Sequence, residues 1–117
     1  DIHIEPAPIP EDEILDNVYR KLFMREQLVD QGSQLEDLLA PEFVYISQDG
    51  CQMNKEKFQI EKGKQSPIKN FQLTSISQKT KLICYEEDGI IHTSLWRRHE
   101  TWQNIFHQET RKNESEQ

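Results

Sequence analysis

The tightest constraint on this chain is a pair of strand-forming runs, Ile90 to Arg98 and Trp102 to Gln108, joined by only His99-Glu100-Thr101. Both runs are rich in branched and aromatic residues, and a three-residue link leaves no room for a crossover. They must pair as an antiparallel hairpin. Asn70 to Gln78 and Leu82 to Tyr85 read as two earlier strands. The short polar links, Asp88-Gly89 among them, then predict an antiparallel meander of four strands.

The amino-terminal half has a different period. Pro6, Pro8 and Pro10 keep residues 1–10 out of a helix, since each removes an amide donor and restricts its neighbour, so an extended arm is expected there. Helix one is expected from about Pro10, with Glu11, Asp12 and Glu13 suiting the positive end of the helix dipole and Gly32 as its stop. Ile14, Val18 and Leu22, with Leu15 and Phe23 flanking, form its core stripe. Ser33 and Glu36 have capping-box spacing before Leu35, Leu38 and Leu39, predicting a short second helix ended by Pro41. Glu42 to Gln48 reads as a strand closed by Asp49-Gly50, and Asn54 as the cap of a third helix over 55–62. Helices first and strands last predict an α+β architecture.

At 117 residues the chain can bury one core, here expected over 11–110, with a polar tail over 111–117. A net charge of -7 disfavours nucleic acid, whose phosphates need basic partners. No apolar stretch approaches a membrane span, and no cofactor motif is present. The cytoplasm is the default location, although the chain begins at Asp1 and a removed leader is compatible with that start. Cys51 and Cys84 have no CxxC partner and read as ordinary thiols.

The run Ser94-Leu95-Trp96-Arg97-Arg98, a tight link, and then Trp102-Gln103-Asn104-Ile105-Phe106-His107-Gln108-Glu109-Thr110 resembles the closing hairpin of a bacterial nuclear-transport-factor-2-like family. Leu38 to Val44, Asp49-Gly50 and Asn54-Lys55-Glu56 are similar to the same family's first helix-to-strand junction and following helix. The link here is one residue shorter than the family's turn, and Glu109 stands where the family has glycine. The resemblance implies a cone-shaped, curved antiparallel sheet wrapped on amino-terminal helices. Its superfamily includes ketosteroid isomerases, polyketide cyclases, dehydratases and dimerisation modules, so it implies a fold and a pocket but no single reaction.

If Arg98 pairs with Trp102 and the pleat alternates without interruption, Thr93, Leu95, Ile105 and His107 share one face of the hairpin. Comparison with the isomerase branch implies that this face lines the cone, joined by Tyr45 and Ser47 (with Phe43) from the first strand and by Tyr19 and Phe23 from helix one. His107 is the candidate general base; the structural alternative is a histidine satisfied by a neighbouring hydroxyl. Ser47 and Thr93 fall where the isomerase branch carries its base and acid, which argues against steroid isomerase chemistry. Trp96, Arg98, Trp102 and Phe106 are expected on the opposite face as a dimer interface. With His92 and His107 expected on opposite faces, no metal site is expected. The sequence thus favours a homodimeric domain binding a small apolar molecule. A lyase or isomerase using His107 and a protein-interaction module are the alternatives.

Overall fold

A computed structural model describes residues 15–58 and 66–113, so the expected arm over 1–10, the start of helix one and residues 114–117 lie outside the described residues. The described chain has helix α1 (Leu15–Asp30), a one-turn helix α2 (Leu35–Leu38), and strands β1 (Leu39–Ile46), β2 (Gln52–Asn54), β3 (Lys69–Ser77), β4 (Thr80–Glu87), β5 (Ile90–Arg98) and β6 (Trp102–Arg111). These strands form one curved, open sheet in the order β2-β1-β6-β5-β4-β3. Strands β3 to β6 are the expected meander, and β1 joins it by running parallel to β6.

Local chemistry explains most element ends. Gly32, at φ 71, closes α1 through paired bonds, Ser33 N–H to Leu28 O at 2.8 Å and Gly32 N–H to Val29 O at 2.9 Å. Asp88 and Gly89, at φ 52 and 76, form the two-residue turn between β4 and β5. Two expectations fail. The Ser33 capping box does not form, because Gln34 occupies the cap position in a left-handed conformation with no side-chain cap bond. In place of a helix from Lys55, residues 55–57 make a turn in which Asn54 Oδ1 accepts from Lys57 N–H at 3.0 Å; residues 59–65 lie outside the described residues.

The central feature of the sheet is a register shift. Arg98 pairs with Trp102, Arg97 with Gln103 and Trp96 with Asn104, as uninterrupted pairing requires, but Leu95 then pairs with Phe106. Ile105 is the additional residue, a β-bulge, and every later residue of β6 is displaced by one. Because side chains alternate with period two, a one-residue slip moves them to the other face. Ser94, not Thr93, therefore faces His107 across the ladder, and His92 faces Glu109. Asn104 fastens the bulge from inside: its Nδ2 donates to Leu95 O at 3.0 Å and to Phe106 O at 3.1 Å.

The core follows from this register. Val18, Leu22 and Val29 of α1 pack with Leu38, Leu39, Phe43, Phe58, Ile83, Tyr85, Trp96 and Trp102. Trp96 and Trp102 are 0% and 1% exposed within the single chain, so they fill the cone and are not an outer interface. The assignment of hairpin faces made from uninterrupted alternation is thus reversed for β5 and split at Ile105 for β6. Removing the Asn104 amide leaves two bulge carbonyls without their donor. Asn104→Ala is expected to lower unfolding stability by about 1–3 kcal/mol in urea denaturation, whereas Thr93→Ala on the outer face changes it by less than about 0.5 kcal/mol; equal effects would contradict this role for the bulge.

Candidate functional site

The α1 stripe that begins with Val18 and Leu22 continues to Glu26 and Val29, so a carboxylate occupies a core position at 0% exposure. Such a group persists in a core only when it is well hydrogen-bonded. Glu26 Oε1 accepts from Trp96 Nε1 at 2.6 Å and Oε2 from the Tyr85 hydroxyl at 3.2 Å, while Ser94 supplies a third hydrogen bond. Burial nevertheless pushes the Glu26 carboxyl up to about 7, its hydrogen-bond donors opposing that rise only in part.

From Glu26 a continuous line of polar groups crosses the inner sheet face. Ser94 Oγ lies 2.6 Å from His107 Nδ1, and His107 Nε2 lies 2.8 Å from His92 Nδ1. Each contact pairs one N–H or O–H with one lone pair, so the protons run in a single sense along the line. His92 Nε2 is the remaining ring nitrogen of the line. That nitrogen faces Glu109 Oε1 at 3.7 Å and Glu87 Oε1 at 3.8 Å. The Tyr45 hydroxyl donates to Glu109 Oε2, and the Glu87 carboxyl shares a hydrogen bond with Asp30 at the end of α1.

Burial sets the electrostatics. It drives His107 down to about 3 and His92 down to about 4, so both are neutral at ordinary pH. Burial also lifts Glu109, and burial together with the Asp30 contact lifts Glu87 to about 8. Aromatic rings enclose the line: Tyr85 stacks on His92 with centroids 4.6 Å apart, Phe71 stacks on Tyr85 at 6.2 Å, and Tyr45 lies 5.9 Å from His107.

The residues singled out from the sequence divide accordingly. Tyr45 and His107 come together, as Cα partners on β1 and β6. Thr93 and Leu95 point to the outer face, and Ile105 is taken by the bulge; these three do not share the face of His107, because the extra residue reverses the alternation. Ser47 lies past the end of β1, where its Oγ accepts from Cys51 N–H at 3.1 Å and so closes a turn. Tyr19 is 40% exposed and, like Phe23, packs edge-on against Phe71, away from His107. Of the expected interface, Arg98 shares the inner face with Trp96 and Trp102, and Phe106 alone lies outside. His92 and His107, expected on opposite faces, are hydrogen-bonded on the same one.

Sequence reasoning missed Glu26, Tyr85, Glu87, His92, Ser94 and Glu109. Glu26 was visible as an acid on the Val18–Leu22 stripe; His92, Ser94 and Trp96 were visible as alternate residues of one strand. A cavity of about 260 Å³ lined by Gln27, Asp30, Gln31, Ser66, Pro67 and Ile68 opens beside the Asp30 end of the line. A second, of about 530 Å³, lies along α1 among Arg20, Lys21, Arg25 and Leu28. Neither of these two is gated by Tyr45, Thr93 and His107, the arrangement expected from the sequence.

Because the folded Glu26 carboxyl ionises near 7 and its ordinary value is 4.5, the folded state holds more protons than the unfolded state between those pH values. Its contribution is complete below about 4.5 and is lost as pH rises to about 7. Glu26→Gln removes this loss. The stability advantage of wild type over the variant is expected to shrink by on the order of 3 kcal/mol between pH 4.5 and 7.5, at about 1.4 kcal/mol per pKa unit, read by urea unfolding at each pH; a pH-independent difference would contradict it.

No protein-family model matches the chain, and no curated protein does. Solved structures match it closely in shape. A putative Ca/calmodulin-dependent kinase II association domain from Exiguobacterium sibiricum superposes with TM-score 0.65 at 15% identity, covering 95% of this chain and 98% of its own. A putative ketosteroid isomerase from Parabacteroides distasonis gives 0.63 at 10% identity over 88% and 91%. A nuclear-transport-factor-2-like protein from Cytophaga hutchinsonii gives 0.61 at 19% over 89% and 99%. With the order of its strands, the single long helix and the parallel β1–β6 pairing, this chain has the nuclear-transport-factor-2-like fold.

Proposed function

We propose that this domain binds a small, largely apolar molecule carrying a hydrogen-bond-donating head group, at the end of the cone formed by Tyr45, His92, Glu87 and Glu109. The observation that carries this reading is the buried line from Glu26 through Ser94 and His107 to His92, which ends in acceptors beside a ring-lined wall. A cone needed only for stability would be filled more cheaply by apolar side chains. Two carboxyl groups at this end favour an amine or hydroxyl over a carboxylate. His107 is poorly suited to general-base catalysis, since both of its nitrogens are engaged and burial holds it near 3; the lyase or isomerase alternative is therefore not favoured. Native mass spectrometry of the purified chain is expected to show a non-covalent organic adduct that Tyr45→Ala reduces at least about tenfold and Tyr19→Ala retains, a loss of about 1.4 kcal/mol. Absence of any adduct, together with no thermal shift across a library of small amines and alcohols, would reject the reading.

A specific observation favours self-association as a second property. Val44, Phe106, Leu95 and Leu82 are consecutive cross-strand partners on β1, β6, β5 and β4, a half-buried apolar row on the outer face, with Ile46, Gln108, Thr93 and Cys84 beside it. This row replaces the tryptophan patch as the surface for a homodimer, a self-complementary pairing of the commonest oligomer type. An association domain is among the structures of similar shape. Leu95→Lys is expected to convert a dimer to a monomer in analytical ultracentrifugation with an unchanged circular dichroism spectrum. A wild-type chain that sediments as a monomer at every concentration would exclude it.

A further inference from the structure

A carboxyl group with no exposed surface can ionise only if its proton has a route out of the core, and Glu26 is 0% exposed. The groups that face it from the elements packed around it are Tyr85 of β4, Ser94 and Trp96 of β5, His107 of β6, whose Nδ1 lies 3.9 Å from Oε2, and Asp30 one turn further along α1. Trp96 has only a donor to offer, and the Tyr85 hydroxyl bonds no second group among the described residues. Ser94 alone continues outward, to His107 Nδ1 at 2.6 Å and from His107 Nε2 to His92 Nδ1 at 2.8 Å. A hydroxyl and a neutral imidazole each hold a hydrogen and a lone pair, so each can receive a proton on one side while releasing one on the other.

We propose that Glu26, Ser94, His107 and His92 form a proton relay in which the charge on Glu26 decides whether His92 Nε2 presents a donor or an acceptor at the end of the cone. With Glu26 neutral, its O–H donates to Ser94, the Ser94 hydroxyl to His107 Nδ1, and His107 Nε2–H to His92 Nδ1, so His92 carries its hydrogen on Nε2. With Glu26 ionised every bond reverses. Ser94 donates to Glu26, His107 Nδ1–H to Ser94 and His92 Nδ1–H to His107 Nε2, and His92 Nε2 keeps a lone pair. The protons balance: the O–H bond of Glu26 breaks, one proton crosses each link outward, and one leaves from His92 Nε2. Both rings are neutral before and after, as burial requires, since it holds His92 near 4 and His107 near 3.

The far end of the line is where it meets solvent. The side chains of His107 and His92 are 6% and 4% exposed, whereas Glu87 and Glu109, which face His92 Nε2 from β4 and β6, are 13% and 21% exposed. Neither carboxyl group lies within hydrogen-bond length of that nitrogen, at 3.8 Å and 3.7 Å, so its hydrogen or lone pair is not committed to them. Toward a bound molecule the relay sets specificity. A head group that donates a hydrogen bond to His92 Nε2 is held by the form with Glu26 ionised, above about 7, and a head group that accepts one by the form with Glu26 neutral. This use rests on the small-molecule reading; the relay itself needs no organic ligand. Glu26, Ser94 and His107 are positioning residues, since each acts through His92.

The test is long-range proton–nitrogen correlation NMR on the full chain labelled with ¹⁵N histidine and without added ligand, which reads which ring nitrogen carries the hydrogen. Between about pH 5.5 and about 8.5, His92 and His107 are expected to stay neutral and to pass together from the Nε2–H to the Nδ1–H tautomer, with a shared midpoint near 7. The tautomer ratio is expected to change about tenfold per pH unit, as for one ionisation. Glu26→Gln, whose amide keeps its carbonyl for Trp96 and its N–H for Ser94, is expected to hold both rings as Nε2–H throughout. Ser94→Ala breaks the link and is expected to abolish the shared transition; if Glu26→Gln does not fold, this variant decides. Tautomers that do not change with pH in folded wild type, a ring that becomes imidazolium in this range, or a shared transition that survives in either folded variant would overturn the relay. Because no organic molecule is present, failure here leaves the adduct measurement standing, and failure of that measurement leaves this one standing.

Discussion

The bulge at Ile105, pinned by the Asn104 amide, decides what this sheet encloses. Two hydrogen bonds from one side chain hold an extra residue in β6, and the slip sets the facing of every residue from Phe106 onward. With uninterrupted pairing, His107 would leave the face it shares with Ser94 and His92. The line of hydrogen bonds would then be impossible, and the interior of the cone would lose His107 and Glu109. Bulges re-aim side chains, and this one turns His107 and Glu109 inward.

What the bulge brings together is an unusual interior. A carboxylate, two imidazoles and a hydroxyl cost more to bury than apolar residues of the same volume, and each is tolerated because its neighbour satisfies it. Glu26 is the anchor: Trp96 and Tyr85 reach it from two strands, and Ser94 connects it to the histidines. The Glu26 carboxylate as acceptor explains why Trp96 is buried with its indole N–H satisfied and does not stand on a surface. At the far end the line reaches the carboxyl groups of Glu87 and Glu109. Glu109 occupies the position where the resembled hairpin has glycine, so a departure from the pattern supplies one of the groups that face His92.

Much of the architecture was legible in the residues. The period-two runs, the Asp88-Gly89 turn and the Gly32 stop located the meander and the first helix, since each depends on local backbone preferences that a sequence states directly. The Arg98–Trp102 pair closing the hairpin was legible for the same reason. The small strand β2 was not, being three residues long and stabilised only by pairing with β1. The site was legible in pieces: Tyr45 and His107 were identified, but their company was not. Thr93 and Leu95 were placed inward by an alternation that Ile105 interrupts, and the bulge has no strong sequence mark, since its cause is an asparagine side chain bonding to two carbonyls that only the folded hairpin presents.

By itself, then, the sequence determined the first helix, the four-strand meander and the hairpin, because propensity, period and turn chemistry act over a few neighbouring residues. Tertiary structure decided which face of that hairpin became the interior, because a face depends on register, and register was set by one bulge and its asparagine. It also decided that Glu26, four residues from Asp30 in sequence yet the one buried acid among the described residues, would anchor His107 and His92 from a distant helix. Contacts between residues 68 and 81 positions apart, Glu26 with Ser94 and with His107, exist only once the sheet has wrapped around α1.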